Sequence, residues 1–234
     1  MPLLSQTEVK QFVLGTLSAI VITAVFVVWG ETDPHSLLMA SLEDRAIEYL
    51  TALFCGLSAV GFLVAMNRSR FLKDRKSWTA YIFILGWAAL MFLFMGEEIS
   101  WGQRLFGFST PESIAATNTQ QEFNIHNLDF VENAKYRLLS LFMLFTGVLF
   151  PAFALMARGR EIIRKLAFPV MPIAYAAFFV LSYIFGKYYY GILLRDTSSE
   201  VREILMSIGM LAFGLHAALR PDDLFRLKRE ETPR

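Results

Sequence analysis

Residues 78–96 read WTAYIFILGWAALMFLFMG, nineteen positions without a single charge, followed at once by Glu97 and Glu98. A helix rises ~1.5 Å per residue and the hydrocarbon core of a bilayer is ~30 Å thick, so about twenty such residues span it. Nothing in the stretch alternates with the period of two that a half-buried strand requires. It is read as a transmembrane helix.

Five further segments have the same character on either side: Gln11–Gly30, Ile47–Met66, Arg137–Met156, Leu166–Gly186 and Ile204–Leu219. The last is short, and Arg202 at its edge is placed to snorkel towards headgroups. The first is too long for the apolar core of a signal peptide and is followed by WGETDPH, which offers no small-residue cleavage pattern, so it is expected to remain as a helix. The expected fold is therefore an all-α polytopic bundle of six transmembrane helices, a single integral membrane domain over 1–234. Composition agrees. The chain is 55% hydrophobic and 18% charged, against roughly 25% charged in soluble domains.

Charge in the loops sets the orientation, because Lys and Arg in short loops stay on the cytoplasmic side. The loop after the second segment carries Arg68, Arg70, Lys73, Arg75 and Lys76, and the loop after the fourth carries Arg158, Arg160, Arg164 and Lys165. The tail over 220–234 carries Arg220, Arg226, Lys228, Arg229 and Arg234, and Lys10 precedes the first segment. These loops share one side, so both termini are expected to be cytoplasmic, with 220–234 a cytoplasmic basic tail. The expected location is the plasma (inner) membrane. The acids concentrate on the opposite, external side. No basic stripe suggests a nucleic-acid partner. The one cysteine, Cys55, lies inside an apolar segment, which excludes an internal disulfide and reads as a small buried hydrophobe.

Pro151, Pro169 and Pro172 fall within the fourth and fifth segments, where each removes a backbone donor and can kink a helix. No Gly-x-x-x-Gly pair marks a helix-dimer seam, and no internal repeat of the kind found in many transporters is present.

The external connection over 97–136 is long, and long connections tend to fold on themselves and carry function. Trp101, Phe106 and Phe108 suit the membrane interface. Ser109-Thr110-Pro111-Glu112 reads as a helix start, with the helix expected to run through Glu122 towards His126. On such a helix Glu122 and His126, spaced i and i+4, share a face, a spacing compatible with metal coordination or with a Glu orienting a His base. Glu97 and Glu98 stand ~100° apart at the mouth of the third segment, and an ionised carboxylate at that boundary needs a cation, a proton or a metal.

These residues define the candidate site. Glu98, Glu122 and His126 are the candidate catalytic groups, and Glu97, Glu98, Glu122 and His126 the candidate ligands of a divalent cation. Glu48, Trp101, Arg104, Lys187 and Glu203 are the candidate substrate contacts, Arg104 and Lys187 for an anionic head group. Glu43, Asp44, Arg45 and Tyr188–Tyr190 lie on the same side. The chemistry points to a membrane-embedded hydrolase or transferase acting on a lipid or lipid-linked substrate. The rival readings are an ion- or proton-coupled transporter and a non-catalytic membrane subunit or assembly factor whose external loop docks a protein partner.

Overall fold

In a computed structural model of the protein, residues 4–42, 45–75, 77–118, 120–188 and 195–225 are described. Among them the chain is helical throughout, without strands. In chain order the helices are α1 (Gln6–Thr32), α2 (Pro34–Ala40), α3 (Ala46–Arg68), α4 (Arg70–Arg75), α5 (Trp78–Glu98), α6 (Gln103–Phe106) and α7 (Glu112–Ala115). They continue with α8 (Asp129–Met143), α9 (Phe150–Leu155), α10 (Ala157–Leu166), α11 (Ala176–Tyr188) and α12 (Arg195–Leu219).

Among the described residues five helices are long and apolar enough to cross a membrane: 6–32, 46–68, 78–98, 134–155 and 197–219. The sixth apolar helix, Ile173–Tyr188, is shorter. The segment read as a helix from Leu166 is thus helical only from Ile173. Pro169 and Pro172 lie in the non-helical run between α10 and α11, not inside a helix. Each proline lacks a donor and pushes the residue before it out of the helical region. Helix resumes with a 3₁₀ turn, Ile173–Tyr175, once Tyr175 N donates to Pro172 O at 3.1 Å. Pro151 does sit within a continuous helical rod. It follows a π-helical stretch, Leu144–Leu149, that opens into α9.

Helix α12 is the axis of the bundle, packed against α3 and α11, while α3 also packs on α5 and α11 on α1. The α3–α12 crossing is close because small residues line it. A β-carbon on Gly61 would stand 2.4 Å from Gly214 O, one on Gly214 would stand 2.6 Å from Ser58 Cα, and Ser58 Oγ donates to Met210 O at 2.8 Å. Small residues that let backbones approach are the usual means of association where lipid removes the hydrophobic drive. Here they face each other across two helices, so no single helix shows a repeat. Next to the crossing, Phe213 meets Phe62 and Trp87 edge-to-face at centroid distances of 5.0 and 5.5 Å. With Met91 and Met210 they fill the middle of the bundle. Helix α1 is peripheral and turns most of its apolar surface outward.

One end of the bundle is basic. Helix α10, read from sequence as a loop, carries Arg158, Arg160, Arg164 and Lys165, with Lys165 bonded to Glu161 at 2.8 Å. Just past the end of α12, Asp222 Oδ1 accepts from Ser69 Oγ at 2.9 Å and Phe71 N at 3.0 Å, and Phe71 stacks on Phe225. Of the sequence-defined tail, residues 226–234 lie outside the described set, as do Glu43, Asp44, Lys76, Tyr189 and Tyr190. The other end gathers the C-terminus of α5 and the N-termini of α3 and α12, because Glu98, Glu48 and Glu203 interact there. This is the acidic end.

Candidate functional site

Adjacent carboxylates at the end of α5 go separate ways, as their ~100° separation requires. Glu97 turns to the long connection and becomes its anchor. Its Oε1 accepts from Trp101 Nε1 at 2.8 Å, and its Oε2 accepts from the backbone N–H of Ile125 at 2.7 Å and of His126 at 3.0 Å. His126 Nδ1 lies 3.4 Å from the same oxygen. Trp101 can reach back because Ser100, Trp101 and Gly102 all take left-handed backbone (φ 45°, 55° and 76°) and because Gly96 has no β-carbon to meet its ring. That run reverses the chain in three residues.

Glu122 is the second anchor. Its Oε2 accepts from Ser100 Oγ at 2.6 Å and Asn124 Nδ2 at 3.0 Å, and its Oε1 from Arg104 Nη2 at 2.6 Å. Asn118 Oδ1 holds the backbone N–H of Gln120 and Glu122, while Gln103 Oε1 takes that of Phe123. Asn127 bonds to Gln120. The helix expected to reach His126 therefore stops at Ala115. Asn118 offers the following amides a side-chain acceptor in place of the helical carbonyl, and Gln121 sits at φ 58°. Glu122 and His126 do not share a helical face. Both serve the packing of the connection, whose tip is α6, with Leu105 and Phe106 turned outward.

Glu98 turns the other way, into the bundle. Its carboxylate meets Glu200 and Glu203 of α12, with ligand oxygens of all three within 4.8 Å of one another. Glu203, Glu200 and Glu48 all bear electrostatically on Glu98, and Ser199 Oγ donates to Glu203 Oε1 at 2.8 Å. All three residues of the trio are partly exposed. Thr51 and Cys55 occupy the same face of α3 as Glu48, at i+3 and i+7. Thr51 Oγ1 is buried without a hydrogen-bond partner among the described residues. Oxygen atoms at this spacing match hard cations, Mg²⁺, Mn²⁺ or Ca²⁺, rather than the nitrogen and sulfur donors of zinc sites.

The four ligands read from sequence, Glu97, Glu98, Glu122 and His126, are not brought to one point. Among the described residues the ligand group contains Glu98 alone of them. Of the substrate-contact set, Glu48 and Glu203 join Glu98. Trp101 and Arg104 belong to the folded connection. Lys187 is exposed in the last turn of α11. Glu203 adjoins the segment read from Ile204, yet it is no helix end. It lies eight residues inside α12, which begins at Arg195.

Glu200 and Arg202 went unread as site residues because the helix was started at Ile204. The signal was there. Glu200-x-x-Glu203 places two acids on one helical face, directly before the apolar run.

Arg202 is 7% exposed and points between α8 and α11. Its guanidinium stands 5.0 Å from the centre of the Tyr136 ring. Its stem passes Gly186, where a β-carbon would come within 2.6 Å of Cδ, and Ser182 Oγ donates to Arg202 O at 2.6 Å.

No protein-family model matches this sequence, and neither a curated protein nor a solved structure matches it.

Proposed function

We propose that the protein is a multi-pass enzyme of the plasma (inner) membrane that binds a divalent cation through Glu98, Glu200 and Glu203 and acts on a lipid or lipid-linked substrate. In this reading Ile173–Tyr188 is the sixth span, both termini are cytoplasmic, and the acidic end with its folded connection is external. The loop charges support that orientation, since the basic residues cluster at the opposite end.

The observation that carries the reading is the carboxylate trio. Three anions this close repel by roughly 3 kcal/mol per pair at an effective dielectric of about 20. Glu48 adds a further negative charge that bears on Glu98. A divalent cation relieves this repulsion, and its chemistry is to polarise an ester or phosphoryl oxygen and activate water. Glu48 of α3, whose charge bears on Glu98, would take the proton that the attacking water releases. Leu105 and Phe106 at the tip of the connection keep it at the interface, where lipid head groups lie. Against a channel or transporter stands the plug of Phe62, Trp87, Met91, Met210 and Phe213 across the middle of the bundle.

The test is a product analysis. Protein in nanodiscs of total lipid extract is incubated with Mg²⁺, Mn²⁺ or Ca²⁺ and the lipids are compared by mass spectrometry. A cation-dependent product, lost in Glu203→Gln and retained in His126→Ala, is the expected result. Lipids unchanged under every cation, or a product indifferent to Glu203→Gln, would overturn the reading.

A further inference from the structure

Arginine presents its hydrogen-bond donors on defined edges. The Nε–H and one Nη2–H point the same way and form the side-on fork that matches two oxygens of a carboxylate or phosphate. In Arg202 these two nitrogens are the ones buried without a hydrogen-bond partner among the described residues. A buried guanidinium edge left open is costly, since unmade bonds to a charged group forfeit more than neutral ones. The side chain is nevertheless held firmly. Gly186 makes room for its stem, Tyr136 covers one face of the plane, and Ser182 fixes its backbone oxygen.

Arg202 lies five residues into the span that begins at Thr197, about 7 Å along the helix axis. It stands two residues before the apolar run that opens at Ile204. An arginine fork held between transmembrane helices suits the oxygens of a lipid phosphate through charge-assisted bonds. The next residue, Glu203, belongs to the carboxylate trio and interacts electrostatically with Arg202. An oxyanion on the open edge would therefore lie beside the proposed cation site.

We infer that the open Nε/Nη2 edge of Arg202, between α8, α11 and α12, binds a phosphate oxyanion of a membrane lipid, which makes the substrate of the proposed enzyme a phosphate-bearing lipid. The inference deepens the reading of the acidic end as a reaction centre, but the binding itself requires no cation.

The experiment measures binding of dioleoylphosphatidylglycerol, dioleoylglycerol and inorganic phosphate to the full-length protein in neutral detergent with chelator present, by native mass spectrometry and thermal stabilisation. Arg202→Lys keeps the charge and loses the fork. Arg202→Gln loses both. The phosphatidylglycerol arm is expected to show affinity that falls about tenfold or more in both variants, with dioleoylglycerol weak throughout. Stabilisation by inorganic phosphate with the same dependence on Arg202 would support the oxyanion site and assign it to a water-soluble phosphate. Arg202→Lys binding as tightly as wild type, or no Arg202-dependent binding of either phosphate, would overturn the inference.

If neither Arg202 variant folds, as judged by gel filtration, Gly186→Ala serves instead, since its β-carbon displaces the stem while keeping the charge. Wild-type affinity in a folded Gly186→Ala protein would likewise overturn it. Absence of cation binding in wild type, with Arg202-dependent phosphate binding intact, would remove the metal reading and leave this one standing.

Discussion

Truncating Glu122 tests whether the long connection is a folded unit. In Glu122→Ala the hydroxyl of Ser100 and the amide of Asn124 lose their carboxylate acceptor, and both residues are buried at 4% exposure. Leaving one buried donor unsatisfied costs about 1–3 kcal/mol. Asn124 Nδ2 keeps its bond to Ser100 Oγ, so the pair is counted once, at about 2 kcal/mol. The Arg104 bond adds about 1 kcal/mol, discounted because the Arg104 side chain is 56% exposed. The total is roughly 3 kcal/mol, or about a hundredfold rise in local opening. Hydrogen exchange at the amides of Glu122, Phe123, Ile125 and His126, read in nanodiscs, measures that opening. His126→Ala is the matched comparison. Glu97 holds the His126 backbone N–H at 3.0 Å, and that bond survives the change, so exchange is expected to rise less than tenfold. Equal exchange in wild type and Glu122→Ala would refute the view of Glu122 as the anchor of this fold.

Three further expectations concern other parts of the molecule. Gly61→Ala drives a β-carbon to 2.4 Å from Gly214 O and should lower the thermal midpoint in detergent by several degrees, whereas Gly86→Ala, with open space around it, should leave it unchanged or slightly raised. Truncating the buried Phe62 to Ala removes its stacking on Trp87 and Phe213 and is expected to cost about 3–5 kcal/mol in reversible unfolding. A spin label at Phe106→Cys, in a Cys55→Ala background that removes the one native cysteine, should show oxygen accessibility typical of the interface; bulk-water accessibility would contradict the anchoring role of α6.

Apolar runs made the long helices legible. The stretch read as 78–96 is helical over Trp78–Glu98, and that read as 47–66 is helical over Ala46–Arg68, because nothing inside either run competes with the helix. The start of α12 was hidden by polarity. Thr197, Ser198 and Ser199 look like a loop in sequence, yet all three are buried and continue the helix outward from Ile204. The start of α11 was hidden by the opposite error, an apolar run in which Pro169 and Pro172 end the helix. At the site, Glu98 stood out by its position beside a charge-free helix. Of its partners, Glu203 is legible as a residue of the same side, whereas Glu200 is not singled out, and nothing in the spacing brings either to Glu98 from a helix more than a hundred residues away. Glu122 and His126 were recognisable as unusual, but spacing alone suggested a shared helical face that Asn118 and Gln121 prevent.

The central claim is that Glu98, Glu200 and Glu203 hold a divalent cation, and metal analysis of protein purified without chelators tests it most directly. Wild type, Glu98→Gln, Glu203→Gln and His126→Ala are purified side by side and equilibrated with Mg²⁺, Mn²⁺ or Ca²⁺. The account predicts one bound cation per chain in wild type and His126→Ala, and loss of it in Glu98→Gln and Glu203→Gln. No stoichiometric metal in wild type, or a cation that His126→Ala removes and Glu203→Gln does not, would contradict it.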